Sequence, residues 1–494
     1  MFSGTLLAGL AVLAGCSRAS SPRIERIALL PFGNLSGDAN LDWLSIGAPA
    51  VLAEQLTGVP NIIIIRAGNS NEAAAAGASK LLLGSYSKLA NGIGIDAKLE
   101  DTQSHQMSAV MHGEDSALKG LNTIAKAIAP IAREFSTSNT EAVTAWVGEQ
   151  YQTATTLDPD FGAAWLSWVG QLATSNQHPQ ALEVARRALA RSTLRTPFTK
   201  AQIELTAATL EKDMPRRRQA LNALLNMAPN SLIYLASSAE AESFARRFQA
   251  SADFYRQILA QEPNNGGAFN GLGYAEALSG NFGKATEALQ QYGKLPGQAL
   301  NALDSQGEAN FLNGRFKEAE QVFQQVSKQD PTFLGGTPLL KAAYARYLGG
   351  DLPGADSLMD RFVQVKKQQG DVAVAWREAV WLYATGRKNE ALAKLDTAPR
   401  DQKNYIDRQK SVWRGQVQPP GDLKELQQLY ETTAPAQDGL PRVIYASALA
   451  KAGRIDEAKQ LLHLWPLPDS AGDPLLQSLV YPEFLALRRE LGVK

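Results

Sequence analysis

Cysteine, histidine and net charge are scarce in this chain of 494 residues. The one cysteine, Cys16, excludes an internal disulfide and a cysteine-rich zinc site. Lys and Arg number 49, as do Asp and Glu, so the formal net charge is zero. This balance argues against nucleic acid as the main partner, because phosphate binding needs a basic surface. Since four histidines are also few for a histidine-based metal enzyme, we expect no nucleic acid partner, no metal and no cofactor.

The length and the apolar content are those of an ordinary globular protein with several parts. Apolar residues make up 45% and charged residues 20% of the chain, which is typical of globular domains. At roughly 100–200 residues per domain, the chain should hold two or more domains, or one domain and a repeat array.

The amino terminus is typical of an export signal. An apolar run from Leu6 to Leu13 is followed by small residues, and it is too short to span ~30 Å of hydrocarbon. The run ends in Leu13-Ala14-Gly15-Cys16, which resembles the lipobox of bacterial lipoproteins and implies lipidation of Cys16. We therefore predict a lipoprotein signal peptide at 1–15, a tether at 16–22, and a membrane-anchored, periplasm-facing envelope protein. The alternative is an ordinary signal peptide or a buried amino-terminal segment.

Residues 23–135 predict a small α/β domain with a mixed sheet. Asn91-Gly92 lies between two alternating segments and favours a two-residue hairpin turn. Strands are expected at 26–32, 61–66 (buried), 80–89, 93–99 and 106–112, and helices at 41–56, 71–78 and 117–135. The last helix should carry Leu121, Ile124, Ile128 and Ile131 on one face.

Three segments of this domain carry a family resemblance. They read IALLPFGNLSGD at 27–38, LLLGSY at 81–86 and IDAKLEDT at 95–102. Together they resemble the TolB amino-terminal-like domain, which begins with an apolar strand, a Pro-Phe step and an Asn-Leu-Ser-Gly turn. The resemblance implies a non-catalytic interaction module.

Helical repeats are predicted for residues 138–470. Prolines that follow apolar helical segments lie at Pro229, Pro263, Pro296 and Pro331, with spacings of 34, 33 and 35 residues. A turn glycine, in most copies followed two residues later by a large apolar residue, and an alanine five after the glycine also recur. These pairs are Gly280 with Ala285, Gly314 with Ala319, Gly350 with Ala355, Gly386 with Ala391, and Gly453 with Ala458. We expect the glycine to end the first helix of a pair in a left-handed cap, and the alanine to allow close helix contact.

This recurrence resembles the tetratricopeptide (TPR) family. It predicts about eight helical hairpins between 160 and 465, a degenerate segment at 403–433, and a carboxy-terminal capping helix within 471–494. The expected fold is therefore α+β and multidomain, with a small α/β domain followed by an all-α TPR solenoid.

A TPR solenoid leaves an inner groove that is lined by the first helix of each helical pair, here called the first helices. Aromatic and amide side chains in such a groove suit peptide recognition. The alternative is that these rings pack between repeats. The candidate groove residues are Asn270, Tyr274, Asn301, Asp304, Tyr344, Tyr347, Trp376 and Tyr383. Arg216-Arg217-Arg218 is interpreted as a solvated helix start.

No spacing identifies a nucleophile with a base, a carboxylate pair or a metal cluster. The pattern therefore favours a non-enzymatic scaffold or adaptor that is anchored by lipid and binds a protein or peptide client. Two alternatives stay open. One is a cytoplasmic signalling adaptor related to TolB-like and TPR transcriptional regulators, and the other is an enzyme with an unrecognised site in the groove.

Overall fold

The computed structural model divides into two compact units, Met1–Phe135 and Ser136–Lys494. It describes residues 24–398 except 192, 195 and 212, and then 406–407, 410, 413–414, 423–432, 439–463, 487–488 and 490–492. The predicted signal peptide, Cys16 and the tether lie outside the described residues.

The first unit is a mixed sheet with three helices. The strands are β1 (Glu25–Leu29), β2 (Gly33–Asn34), β3 (Ile62–Arg66), β4 (Lys80–Leu89), β5 (Gly92–Asp101) and β6 (Met107–Gly113), and the helices are α1 (Trp43–Leu56), α2 (Ser70–Ala75) and α3 (Ala117–Ile128). The strand order is β3-β1-β4-β5-β6, with β2 beside β4. Strand β1 is parallel to β3 and β4, whereas β4, β5 and β6 form an antiparallel meander. The predicted small mixed sheet is thus confirmed.

Two segments of the TolB-like resemblance contact each other in this sheet. The backbone N–H of Leu35 donates to the carbonyl of Tyr86 at 2.8 Å. The buried ring of Phe32 lies over Gly84, where a Cβ would approach the ring to 2.3 Å. Glycine at position 84 therefore leaves the space that the Pro-Phe step fills.

The structure corrects three details of the first unit. Helix α3 ends at Ile128 and leaves Ile131 66% exposed, because Ala129 precedes Pro130 and is extended. Strand β3, expected to be buried, is an edge strand whose isoleucines are half-buried. The hairpin turn comprises Ala90 and Asn91, and Gly92 is already paired with Leu89.

The second unit is built from helices that pack as consecutive pairs. The pairs are α4 (Thr140–Val147) with α5 (Tyr151–Leu157), α6 (Gly162–Thr174) with α7 (His178–Leu189), α8 (Pro197–Leu210) with α9 (Met214–Met227), α10 (Leu232–Phe244) with α11 (Phe248–Gln261), α12 (Gly266–Leu278) with α13 (Phe282–Gly293), α14 (Ala299–Leu312) with α15 (Phe316–Gln329), α16 (Thr337–Leu348) with α17 (Leu352–Gln368), and α18 (Val374–Ala384) with α19 (Lys388–Leu395). Among the described residues beyond 398, three more helices are given bounds: α20 (Leu423–Thr432), α21 (Gly439–Lys451) and α22 (Ile455–His463). Neighbouring pairs also touch, as α12 does with α14.

The turn within each predicted glycine pair has the expected geometry. The five glycines have φ between 72° and 97°, a region that favours glycine. The residue after the glycine donates its N–H to a carbonyl five residues earlier, as Asn281 does to Glu276 at 2.9 Å, which is the Schellman pattern. All five alanines are fully buried. Glycine turn and close-packing alanine are therefore confirmed.

The same turn occurs at three positions that lack glycine. Glu149, Asn176 and Arg246 have φ of 57–59°, and a helix begins two residues after each. The residues five positions further on, Ala154, Ala181 and Ser251, are fully buried. The regular turn therefore begins at residue 149, ahead of the predicted first hairpin at 160.

Part of the carboxy-terminal prediction falls on described residues. Leu487 packs with Leu426, Val443 and Leu462, and Arg488 donates from Nη1 to the Leu462 carbonyl at 2.5 Å. Residues 490–492 are also described, whereas the remaining residues of the predicted capping helix, and about half of the degenerate segment at 403–433, lie outside the described part of the chain.

Candidate ligand surface on the first helices

The eight candidate groove residues lie on four first helices, α12, α14, α16 and α18. The structure separates them into three groups: a buried charge network, an aromatic junction and a set of half-buried side chains.

The buried charge network joins Tyr274, Asp304, Glu308 and Lys341. Lys341 Nζ donates to Asp304 Oδ2 at 2.6 Å and to Glu308 Oε1 at 2.5 Å. The Tyr274 hydroxyl donates to Glu308 Oε2 at 3.0 Å and lies 3.2 Å from Ser305 Oγ. The network therefore connects three successive first helices, α12, α14 and α16.

The three charged groups of this network are removed from solvent. Lys341 has no exposed surface, and Asp304 and Glu308 are buried. The Phe323 ring centroid lies 5.4 Å from Lys341 Nζ, a favourable cation–π distance. Charges in such a place persist only when they are paired and hydrogen-bonded. Asp304 thus has a structural role here and is removed from any client-contacting surface.

The sequence contained a signal for this network that the groove hypothesis did not use. Tyr274 and Glu308 are 34 residues apart, as are Asn270 and Asp304, so each pair holds equivalent positions in successive repeats. Asp304 and Glu308 are also four apart and share a helix face. Two carboxylates on one face, opposite a lysine of the next first helix, indicate a paired network.

The aromatic junction comprises Tyr344, Tyr347 and Trp381. The Trp381 ring is in edge contact with Tyr344 at 5.0 Å and with Tyr347 at 5.9 Å. Trp381 Nε1 donates to Asp356 Oδ1 at 2.7 Å, and Asp356 also accepts two hydrogen bonds from the Arg387 guanidinium. Tyr344 has no exposed surface. Its place in the groove prediction is therefore wrong, because its ring packs in the core between α16 and α18.

The third group consists of half-buried side chains: Asn270, Asn301, Trp376 and Tyr383, together with Tyr347 of the aromatic junction. Asn301 Nδ2 donates to the Tyr292 hydroxyl at 3.0 Å. Burial raises the pKa of Tyr292, and the Asn301 contact opposes this rise. Tyr383 stacks on Trp413 at 4.4 Å. These side chains keep part of their surface in water while their inner parts are fixed by neighbours.

The arginine cluster at 216–218 is paired. Arg216 Nη2 donates to Glu204 at 2.8 Å, Arg217 Nη2 to Glu240 at 2.8 Å, and Arg218 Nε lies 3.2 Å from Glu242. These carboxylates come from α8 and α10, on either side of α9. The arginines lie at a helix start as predicted, but they form ion pairs with neighbouring helices, whereas solvated side chains were expected.

Two features are absent from the described ranges of the chain. No helix there combines the length and apolar character needed to cross a membrane. No group of three or more His, Cys, Asp and Glu side chains there has an arrangement that could hold a metal ion.

The comparisons with known proteins assign no family. No protein-family model matches the chain, and no curated protein is found as a relative.

Proposed function

We propose that the chain is a non-enzymatic interaction scaffold, anchored by lipid at Cys16 in a bacterial envelope. In this proposal a TolB-like domain precedes a TPR array, and half-buried first-helix side chains bind a protein or peptide client. The candidate contacts are Asn270, Tyr347, Trp376 and Tyr383.

The recurrence of one turn carries this proposal. Left-handed turns at residues 149, 176, 246, 280, 314, 350, 386 and 453 each precede a helix that buries a small residue five positions after the turn. Stacked helical pairs of this kind create extended surfaces that repeat proteins use for binding. The recurrence supports an interaction role because turns of one kind run from residue 149 to residue 453, and a long array of this kind offers a partner an extended surface.

The charge network contains side-chain types that enzyme active sites use. It brings together an amine, two carboxylates and a hydroxyl, which are the groups of acid–base chemistry. A substrate atom would have to come within about 3 Å of them, and Asp304, Glu308 and Lys341 are buried. The network therefore supports a structural role over a catalytic one.

The proposed lipid anchoring to the membrane is tested with Cys16→Ser. A fatty-acid analogue fed to cells should label the wild-type chain alone, and the variant should leave the membrane fraction. A wild-type chain that takes no label and is found in the soluble fraction would favour the cytoplasmic adaptor.

The client surface is tested by photo-cross-linking in cells. A photoreactive amino acid at Trp376 should give a discrete cross-linked protein band, because this side chain is half-buried on a first helix. The same residue at Glu318, half-buried on the second helix α15, is the matched control. Equal bands from both positions, or a band from Glu318 alone, would contradict the proposed surface.

A further inference from the structure

The segment 129–135 follows α3, ends the first unit and is fastened to the carboxyl end of α1. The Arg133 N–H donates to the Gln55 carbonyl at 3.2 Å, and Gln55 Nε2 donates back to the Arg133 carbonyl at 3.2 Å. The side-chain oxygen of Asn122, on α3, accepts from Gln55 Nε2 and from the Phe135 N–H. Gln55 is fully buried. These contacts of Arg133 and Phe135 with α1 and α3 are here called the clasp.

The Arg133 guanidinium completes the clasp at the end of α1. Its Nη2 donates to the Glu54 carbonyl at 3.4 Å and to the Thr57 carbonyl, and Thr57 directly follows the last residue of the helix. The last carbonyls of a helix have no intrahelical donor, and a positive charge is favourable at this end of the helix dipole. Arg133 therefore supplies a donor and a charge that stabilise the end of α1.

The Glu54 carboxylate belongs to the last turn of the same helix. Its Oε2 atom is sealed from solvent and accepts no hydrogen bond among the described residues. An ionised carboxylate in such a place is costly, because it loses water without gaining donors, whereas a protonated carboxyl carries no charge. Burial accordingly raises the pKa of Glu54 to about 7, and the positive charge of Arg133 opposes this rise.

Among the described residues, Arg133 is the charged group whose field acts on Glu54. The elements that pack most closely against α1 are α3, β3, β2 and a short 3-10 turn at Ala39–Leu41. Strand β2 and this turn contain no charged residue. The charged side chains of the other two elements are exposed: Lys119 and Lys126 on α3, and Arg66 on β3. Ionisation of Glu54 is therefore balanced by Arg133, whose Nη2 is already used by the clasp.

We propose that Glu54 makes the clasp sensitive to pH, so that the clasp is firmest in acidic solution and opens more readily as Glu54 ionises. Opening gives the carboxylate access to water, where a glutamate ionises near its ordinary value of about 4.5. A group whose pKa is raised in the closed state stabilises that state fully below its ordinary value, and this effect is lost as the pH rises through the raised value. The opening constant should therefore increase about tenfold per pH unit between about pH 4.5 and 7, and about 300-fold in all. The proposal depends neither on the lipid anchor nor on the client surface.

Deuterium exchange of the purified full chain, followed by mass spectrometry over residues 129–135, measures this opening. Wild type is compared with Glu54→Gln at the same pH, so that the intrinsic pH dependence of exchange cancels. The exposed His112, whose pKa is raised by its hydrogen bond with Asp96, is common to both proteins and cancels too. We expect the ratio of wild-type to variant exchange rates to rise about a hundredfold between about pH 4.5 and pH 8. A ratio that stays constant over this range would overturn the proposal.

Two controls restrict the effect to Glu54 and to the clasp. Glu114→Gln removes an exposed carboxylate of the same unit and should exchange as wild type does at each pH. Peptides from β4 and β5 should show no change of the ratio with pH. A rise of equal size in those strands would contradict a clasp that opens by itself, and loss of the pH dependence in Glu114→Gln would contradict the role of Glu54.

Discussion

Helices α12, α14 and α16 are joined by buried charges, whereas α16 and α18 are joined by aromatic rings. In the first junction Lys341 contacts two carboxylates, and in the second Trp381 contacts two tyrosines. Tyr274, Glu308 and Tyr344 all lie six residues before the turn glycine of their own pair. The same position in the repeat is thus used for a hydroxyl, a carboxylate and a buried ring.

The two junctions respond differently to the loss of one partner. Removing one ring leaves a cavity, whose cost depends on how far its neighbours can relax. Removing the amine leaves two carboxylates buried together, and such charges cannot be accommodated by relaxation alone. Charge networks are therefore less tolerant of single substitutions than aromatic junctions, although apolar replacement of the whole network can be tolerated.

Lys341→Met should cause the largest loss of stability. Breaking a buried ion pair typically costs about 3–5 kcal/mol, measured here from the urea dependence of helical circular dichroism. The triple variant Lys341→Met, Asp304→Leu, Glu308→Leu should recover most of that loss. A single variant as stable as wild type would mean that the charges do not hold the junction.

Tyr344→Ala should cost slightly less than the lysine variant, about 3 kcal/mol or more, because a large buried ring is lost. Tyr347→Ala, at a half-buried ring of the same junction, is the control and should cost clearly less. If the two tyrosine variants unfold at the same urea concentration, the assignment of Tyr344 to the core is wrong.

Ala285→Trp and Ala319→Trp test the contact within a pair, which both kinds of junction share. Overpacking at these buried positions should cost about 1–3 kcal/mol. Lys284→Trp, at the exposed position next to Ala285, should leave the melting temperature nearly unchanged. Unchanged melting of both alanine variants would contradict the packing described for the pairs.

The smallest effects are expected at the turns. Gly314→Ala should cost about 1–2 kcal/mol, because a Cβ disfavours the left-handed region. Glu149→Gly is the reverse substitution at an equivalent turn and should stabilise by up to about 1 kcal/mol. Shifts of the same sign for both variants, measured by thermal unfolding, would show that the turns are not equivalent.

Local rules predicted the repeat because they depend on backbone geometry. Glycine is favoured wherever φ is positive, and alanine is favoured wherever two helices approach closely. Both residues therefore recur at a regular spacing that is visible in the sequence. The turns at Glu149, Asn176 and Arg246 left no such spacing, because other residues adopt the left-handed region when the surrounding structure holds them there.

The candidate surface was less predictable because it depends on which face of each first helix is covered by the next pair. Tyr344 and Tyr347 are three residues apart, yet the first is fully buried and the second is half-buried. Both rings contact Trp381, which lies 37 residues beyond Tyr344 and 34 beyond Tyr347. Sequence spacing alone gives no indication of such a long-range contact.

The division of the first-helix residues into junction and client surface is tested most directly by measuring urea unfolding and cross-linking on the same variants. With the photoreactive residue at Asn270, Trp376→Leu should reduce the cross-linking of the client about tenfold or more, as expected for a hot spot, and change the unfolding midpoint little. Tyr344→Leu should lower the midpoint clearly and leave cross-linking by the folded protein unchanged. The reverse pattern, or equal effects of the two variants on both measurements, would contradict the account.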